Sequence, residues 1–254
     1  MDKLKRKLTQ ELQQDFNVKT LDSMSWSLPV HSIEIAFQTV MRTKMDILMK
    51  MMLIAFQKGK ISTAEVLSEL LLVEPLFIED LIRKMISAQM IEKNDGHFTL
   101  TGTGMQQLES GIFIHEPEND MKNAFYSPCH QSFLNGNPES LVAEVKEVYR
   151  HHAEFNDDWK VELIEKTDLL NALQTLGVES AEGNVQIVIA DIVSVTAVQT
   201  EWVPCIEFRL YNEAEDLLFA RVWNTLTEQW DERLESQLND KERKVWRENY
   251  LEKE

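Results

Sequence analysis

Two acidic residues in the C-terminal half have the type and the setting for metal-assisted hydrolysis. Asp191 lies in the apolar run VQIVIADIVSVTAV, and Glu207 lies in WVPCIEFRLY, two positions before Arg209. Two carboxylates on adjacent strands can hold a divalent metal while a nearby lysine helps to activate water. The third residue is here an arginine, which stays protonated and cannot relay a proton. The competing interpretation is a cross-strand ion pair on an exposed face.

A second set of residues has the side chains of a metal site without the spacing of one. These are Cys129-His130, His151-His152 and the nearby Asp157 and Asp158. Adjacent residues on a helix do not share a face, so the two histidines of a pair cannot easily reach one ion. The chain also has no CxxC, HxxxH or HExxH spacing. We therefore predict no metal site.

The other common catalytic motifs are missing. The sequence contains no GxSxG, no P-loop and no GxGxxG. We therefore expect no cofactor and favour a non-enzymatic role. A dispersed active site stays open, and a metal-dependent nuclease, similar in its Asp191 and Glu207 to the restriction-type enzymes, is the enzymatic alternative.

The elements that would position these carboxylates are β-rich runs framed by helices. In WVPCIEFRLY, the side chains of Cys205, Glu207 and Arg209 alternate with three apolar ones, which predicts a half-buried antiparallel strand. The turn NEAED leads to a third run, LLFARVW. Helices are predicted at 139–155, with Leu141, Val145 and Val148 on one face, at 159–176 and in the charged tail. The result is an α+β domain with a small antiparallel sheet.

Two tryptophans at the end of this domain are candidate partner contacts. Trp223 and Trp230 lie in or beside the third β-rich run. Most tryptophans there pack within the sheet. If these two are exposed beside acidic residues, they could anchor a basic partner.

The N-terminal third is predicted to be helical. Leu4, Leu8, Leu12 and Phe16 recur every four residues, which predicts a short amphipathic helix, and Pro29 is expected to end regular structure after it. A long helix is then predicted at 32–58, because apolar residues recur at helical spacing until Gly59.

The following segment has a compact pattern of alternating helix and turn signals. ISTAEVLSELLLVEP predicts a helix capped near Ser62 or Thr63, and Pro75 begins a second helix that reaches about residue 88. MIEKNDGHFTLTGTG predicts two short strands joined at Asn94-Asp95-Gly96, followed by a helix at 105–108.

Helix, helix, helix, hairpin and helix in this order resemble the winged-helix superfamily, and LTGTGMQQL is similar to the segment after the wing in bacterial regulators. The resemblance implies that the helix from Pro75 is the recognition helix and the hairpin is the wing. The implied contact residues for DNA or a partner are Glu79, Asp80, Arg83 and Lys84 on the helix and Lys93 and His97 on the wing.

The charge distribution disfavours nucleic acid as the partner. The net charge is −17, and residues 111–254 contribute 13 basic and 29 acidic side chains. Such a field repels phosphate backbones and favours solubility or a basic partner. The two isolated cysteines fit a reducing cytoplasm, and no apolar run is long enough for a membrane span.

We therefore predict a cytoplasmic α+β protein in which an N-terminal winged-helix domain precedes a small antiparallel-sheet domain framed by helices. The predicted segments are an N-terminal helix and loop (1–31), the winged helix (32–111), a linker or wrapping arm (112–138) and the acidic domain (139–254). We expect an accessory protein that binds protein partners, within a DNA-handling complex by fold analogy. The alternative is a winged-helix DNA-binding regulator.

Overall fold

The protein has a mixed α+β fold in a computed structural model, which describes residues 2–14, 16–142 and 147–251. The helices are α1 (Asp2–Leu12), α2 (Ile47–Lys58), α3 (Ala64–Leu71), α4 (Pro75–Ser87), α5 (Gly102–Ser110), α6 (Ala153–Asn156), α7 (Lys166–Thr175) and α8 (Glu232–Tyr250). The strands are β1 (Val18–Lys44), β2 (Ile91–Asn94), β3 (His97–Leu100), β4 (Ile112–Ile114), β5 (Glu118–Ser127), β6 (Ser132–Leu134), β7 (Ser180–Glu182), β8 (Val185–Asn212), β9 (Leu217–Asn224) and β10 (Gln229–Trp230).

Eight of these strands form one sheet, which is larger than the small sheet predicted. The strand order is β10-β9-β8-β1-β5-β6, with β4 paired to β1 and β7 paired to β8, while β2 and β3 form a separate hairpin. The chain forms two compact units, each built from separate stretches of sequence. The sheet unit comprises Met1–Ile35, Lys122–Thr175 and Val195–Glu254, and the helical unit comprises Ala36–Met121 and Leu176–Ser194.

In the sheet unit, helices cover both faces of the C-terminal part of β8. Ile206, Phe208 and Leu210 form a buried cluster with Leu8 of α1. The alternate residue Cys205 lies in a second cluster with Leu234 and other side chains of α8. The predicted amphipathic helix is confirmed for Leu4, Leu8 and Leu12, which pack in this cluster. Phe16, predicted to continue the stripe, lies beyond the end of α1 and is exposed.

In the helical unit, α2 to α5 and the β2–β3 hairpin enclose one apolar core. Its fully buried members are Met52, Leu53, Leu67, Ile78, Met85 and Met90. Thr101 begins α5 by accepting a hydrogen bond from the backbone N–H of Gly104 at 3.0 Å. A Cβ on Gly104 would lie 2.0 Å from the carbonyl oxygen of Met90, so the TGTG segment needs a glycine there for packing.

The predicted helix at 32–58 is wrong in its first half, because residues 32–44 belong to β1 and only Ile47–Lys58 is helical. Residues spaced four apart share a face in a strand as well as in a helix, so Ile33 and Phe37 fitted both periods. The burial of Ile35 between them fits only the two-residue period of a strand. Pro29, expected to end regular structure, is buried within β1.

Three further predictions differ from the structure. The helix expected at 139–155 is replaced by a short 3-10 turn at Pro138–Ser140 and the four-residue α6, while Val145 lies outside the described residues. The segment 112–138, expected to be a linker or wrapping arm, contains β4, β5 and β6, which all belong to the large sheet. The first two β-rich runs of the C-terminal half are one strand, β8.

Among the helices of the described ranges, none is long and apolar enough to cross a membrane.

Candidate protein-binding surface

The predicted contact residues on α4 are all exposed, and two of the four form an ion pair with each other. Glu79, Asp80, Arg83 and Lys84 lie on the outer side of α4, opposite Ile78, Ile82 and Met85, which are buried. Nζ of Lys84 lies 2.8 Å from the carboxylate of Asp80. The hydrogen bond from Lys84 lowers the pKa of Asp80 below its ordinary value. Arg83 forms no ion pair among the described residues, although its charge also helps to lower the pKa of Asp80.

The predicted wing offers little additional positive charge. Nζ of Lys93 lies 5.3 Å from the ring centroid of Phe98, which is a cation–π contact within the hairpin. Nδ1 of His97 lies 2.9 Å from the backbone oxygen of Asp95. Both side chains are thus held against their own hairpin. The phosphate-binding groups that a DNA-reading domain presents are scarce on α4 and on the hairpin.

An apolar surface occupies the turn between α3 and α4. We call it the α3–α4 surface. Its members are the exposed side chains Val66, Leu70, Leu72, Leu76 and Phe77. They lie within twelve consecutive residues, from the first turn of α3 to the first turn of α4. Scattered single apolar residues on a surface are ordinary, whereas five exposed apolar side chains so close in sequence make this turn a candidate interaction site.

Leu72 makes this surface unusual in its backbone as well as in its side chain. It ends α3 in the left-handed conformation, with φ 57° and ψ 43°, and its side chain is 90% exposed. This position normally holds glycine, because a Cβ in the left-handed region costs about 1–2 kcal/mol. Within the described chain, no burial of Leu72 offsets that cost.

Acidic side chains surround the α3–α4 surface. Glu65, Glu69, Glu74, Glu79 and Asp80 are all exposed, and the sequence from residue 61 to residue 82 has no lysine or arginine. The carboxylates would repel a phosphate backbone that approached the start of α4. They are complementary to a protein surface on which basic side chains surround exposed apolar ones.

Helical spacing alone predicts that Val66 and Leu70 lie on the buried side of α3, so the sequence pattern does not reveal this surface. The buried residues of that helix are Ala64 and Leu67. A signal was present: the run of apolar residues in SELLLVEP is wider than the single stripe that an eight-residue helix can bury.

The two candidate catalytic carboxylates are not brought together as predicted. Asp191 and Glu207 lie on the same strand, β8, not on adjacent strands. Asp191 is exposed and belongs to the helical unit, whereas Glu207 is fully buried in the sheet unit. The nuclease hypothesis needs two facing carboxylates that share a metal ion, and Asp191 and Glu207 do not form such a pair.

Glu207 instead forms a buried charge network. Its carboxylate accepts hydrogen bonds from Nε1 of Trp26 at 2.8 Å, from both Nη atoms of Arg150 at 2.7 and 3.0 Å, and from Nε of Arg209 at 3.1 Å. Arg150 also binds Glu242 on α8. Burial alone would lower the pKa of Arg150, but the hydrogen bonds to Glu242 and Glu207 outweigh it and raise that pKa. Every oxygen of Glu207 is satisfied, so the group holds the fold together.

The expectation that this part of β8 has one exposed face is therefore wrong. Cys205 and Glu207 face α8 and the segment around Arg150, while Ile206 and Phe208 pack with α1. The sequence pattern showed an amphipathic α1 but not the strand face that it covers.

His130, one of the residues considered for a metal site, belongs to a hydrogen-bonded chain of Ser127, His130 and Asp231. Nδ1 of His130 lies 2.7 Å from Oγ of Ser127, and Nε2 lies 2.9 Å from Asp231. Burial would raise the pKa of Asp231, but hydrogen bonds from His130, Asn224 and the N–H of Leu234 lower it overall. Ser127 is fully buried, and Asp231 also caps α8. The chain is enclosed, so it ties the β5–β6 turn to α8.

The remaining metal-like residues do not converge. Burial raises the pKa of the Cys129 thiol to about 12, so it stays protonated. His151 binds Glu242 at 2.7 Å, whereas Nδ1 of His152 lies 2.6 Å from the backbone oxygen of Tyr149. In residues 2–14, 16–142 and 147–251, no group of three or more His, Cys, Asp or Glu side chains could hold a metal ion.

Trp223 and Trp230 contact the chain's own residues. Their rings meet edge to face with centroids 5.3 Å apart, and both pack against the cluster that contains Leu8 of α1. The guanidinium of Arg221 lies 4.5 Å from the ring centroid of Trp230. These two tryptophans are half-buried and help to dock α1.

Comparisons with known proteins add no relative: no family model, no curated protein and no solved structure matches this chain.

Proposed function

We propose that this protein is a non-enzymatic adaptor whose helical unit binds a basic protein partner through the α3–α4 surface. The observation that supports the proposal most directly is the exposure of Leu72 in a strained backbone position, beside Leu76 and Phe77. Fully burying a leucine or phenylalanine side chain contributes about 1.5–3 kcal/mol, so a few such residues suffice for a specific contact.

The element order of the helical unit supports a winged helix as the framework of this adaptor. α2, α3, α4, the β2–β3 hairpin and α5 follow one another as that family's resemblance implies. A place in a DNA-handling complex rests on this analogy of fold alone. The acidic residues near α4 and the Asp80–Lys84 ion pair favour protein over DNA as its direct partner.

A matched pair of substitutions tests the proposal. Val66 on α3 and Val245 on α8 are similarly exposed, at 48% and 52%, and both lie within helices. We expect Val66→Lys to abolish co-purification of the protein partner from the native host, because it removes apolar contact and adds the wrong charge. Val245→Lys is expected to leave it unchanged. Equal capture by both variants would contradict the α3–α4 surface.

The DNA-binding alternative makes a different prediction for the same helix. If α4 reads DNA, the tagged protein should bind duplex DNA in a salt-sensitive way, and the double change Arg83→Ala and Lys84→Ala should weaken that binding. We expect no such binding at physiological salt. Loss of duplex binding in this double variant, with Val66→Lys unaffected, would favour the regulator over the adaptor.

A further inference from the structure

The helical unit also contains a groove lined by basic side chains, in contrast to the acidic surroundings of the α3–α4 surface. The groove has a volume of about 620 Å³ and is lined by the end of β1, the start of α2, the α5–β4 turn and the β7–β8 hairpin. Three cations line it: Arg42, Lys44 and Lys50. We call it the basic groove.

The register of the strands places the cations together. Arg42 and Lys44 are two residues apart on β1, opposite Ile114 and Ile112 of β4, so both lie on one face of the strand. Lys50 comes from the first turns of α2. All three side chains are exposed, and none forms an ion pair with another described residue.

No carboxylate lines the basic groove, although the chain has 43 acidic residues among its 254. The acidic residues nearest in sequence are Asp46, Glu109 and Glu182. Asp46 is occupied as the cap of α2, where its carboxylate accepts hydrogen bonds from the N–H groups of Leu48 and Met49. Three unpaired cations in so acidic a protein favour an anionic ligand.

The groove is also apolar. Ile47, which is 77% exposed, lines it together with the exposed Ile112 and Val185. None of its lining residues is aromatic. Single-stranded nucleic acids bind to basic grooves in which aromatic rings stack on the bases, and exposed aliphatic side chains do not supply that contact.

We propose that the basic groove binds an acidic segment of a partner protein in which Asp or Glu residues are interspersed with aliphatic ones. The carboxylates pair with Arg42, Lys44 and Lys50, and the aliphatic side chains cover Ile47, Ile112 and Val185. This site shares no residue with the α3–α4 surface, so it takes a ligand of different chemistry and does not depend on the adaptor proposal.

A peptide array tests the proposal with the whole 254-residue chain. The array holds peptides built from Asp and Leu in varied order, the same peptides with Ser for every Asp, and the same peptides with Ser for every Leu. We expect the wild type to retain a subset of the Asp–Leu peptides and neither control set. The double change Lys44→Glu and Lys50→Glu should weaken the retained peptides about tenfold in fluorescence anisotropy.

Lys58 and Lys60 provide the matched control, because both are exposed lysines at the other end of α2 and neither lines the groove. Lys58→Glu with Lys60→Glu should retain wild-type affinity, and circular dichroism should show all proteins folded. The proposal is overturned if wild type retains no more Asp–Leu peptides than the Lys44→Glu, Lys50→Glu variant. It is also overturned if the Leu-to-Ser set binds equally well, or if labelled duplex DNA binds in a Lys44-dependent way while the peptides do not.

Discussion

The sheet unit and the helical unit treat charged and apolar side chains in opposite ways. In the sheet unit, Glu207 is fully buried and paired with Arg150 and Arg209. The polar face of its strand, predicted to be exposed, is covered by α8, and the apolar face is covered by α1. In the helical unit, Leu72 and Phe77 are exposed, and Lys44 and Lys50 have no acidic partner among the described residues. Exposed apolar and unpaired basic groups are typical of recognition surfaces, which supports the proposal that the helical unit binds partners while the sheet unit provides support.

The largest effect that this comparison predicts is the loss of the buried carboxylate. Glu207→Gln removes the negative charge that faces Arg150 and Arg209, and removing one partner of a buried ion pair costs about 3–5 kcal/mol. Arg150 keeps its hydrogen bond to Glu242, so we expect the free energy of unfolding in urea to fall by about 3 kcal/mol, the lower end of this range.

Asp191→Asn is the control, since Asp191 lies on the same strand but is exposed. Exposed ion pairs contribute about 0–1 kcal/mol, so this variant should unfold close to wild type. If Glu207→Gln proves as stable as Asp191→Asn, the network does not support the fold, and a functional role for Glu207 returns to consideration.

A smaller effect is predicted inside the helical unit, where a glycine is required by close packing. Gly104→Ala places a Cβ against the carbonyl oxygen of Met90, and such overpacking costs about 1–3 kcal/mol. Gly102→Ala, two residues earlier in α5, meets nothing within 4 Å and should be neutral or slightly stabilising. Thermal unfolding of the two variants measures the difference. Equal midpoints would show that the helix start can move away from Met90.

Local patterns predicted the helical unit better than they predicted the sheet unit. The helices α3 and α4 and the β2–β3 hairpin were found because caps, prolines and Asn94-Asp95-Gly96 act within a few residues. The sheet unit depends on pairings far apart in sequence, such as Trp26 with Glu207. Whether β8 has one covered face or two is decided by where α1 and α8 dock, and no local period encodes that.

The residues of the candidate site also differ in how far local sequence patterns could predict them. The exposed polar residues of α4 could be named from helical periodicity, because the buried stripe of Ile78, Ile82 and Met85 fixes the outer face. The α3–α4 surface could not, since an apolar residue is assigned to the core unless its surroundings are known. The pairing of Arg42 and Lys44 with β4 likewise needed β1 to be recognised as a strand.

The smallest expected change in stability is at Leu72, where the effects on partner binding and on folding should have opposite signs. Leu72→Gly relieves the left-handed backbone strain at the end of α3, and the exposed side chain gives up little burial. We expect the free energy of unfolding to rise by about 0.5–1 kcal/mol. Partner binding should fall at least about tenfold, because a buried leucine contact is lost. Urea unfolding and partner titration on one protein preparation measure both changes. If Leu72 served stability, the free energy of unfolding and the partner affinity would fall together. If the variant is stable and still binds the partner normally, Leu72 does not belong to the α3–α4 surface.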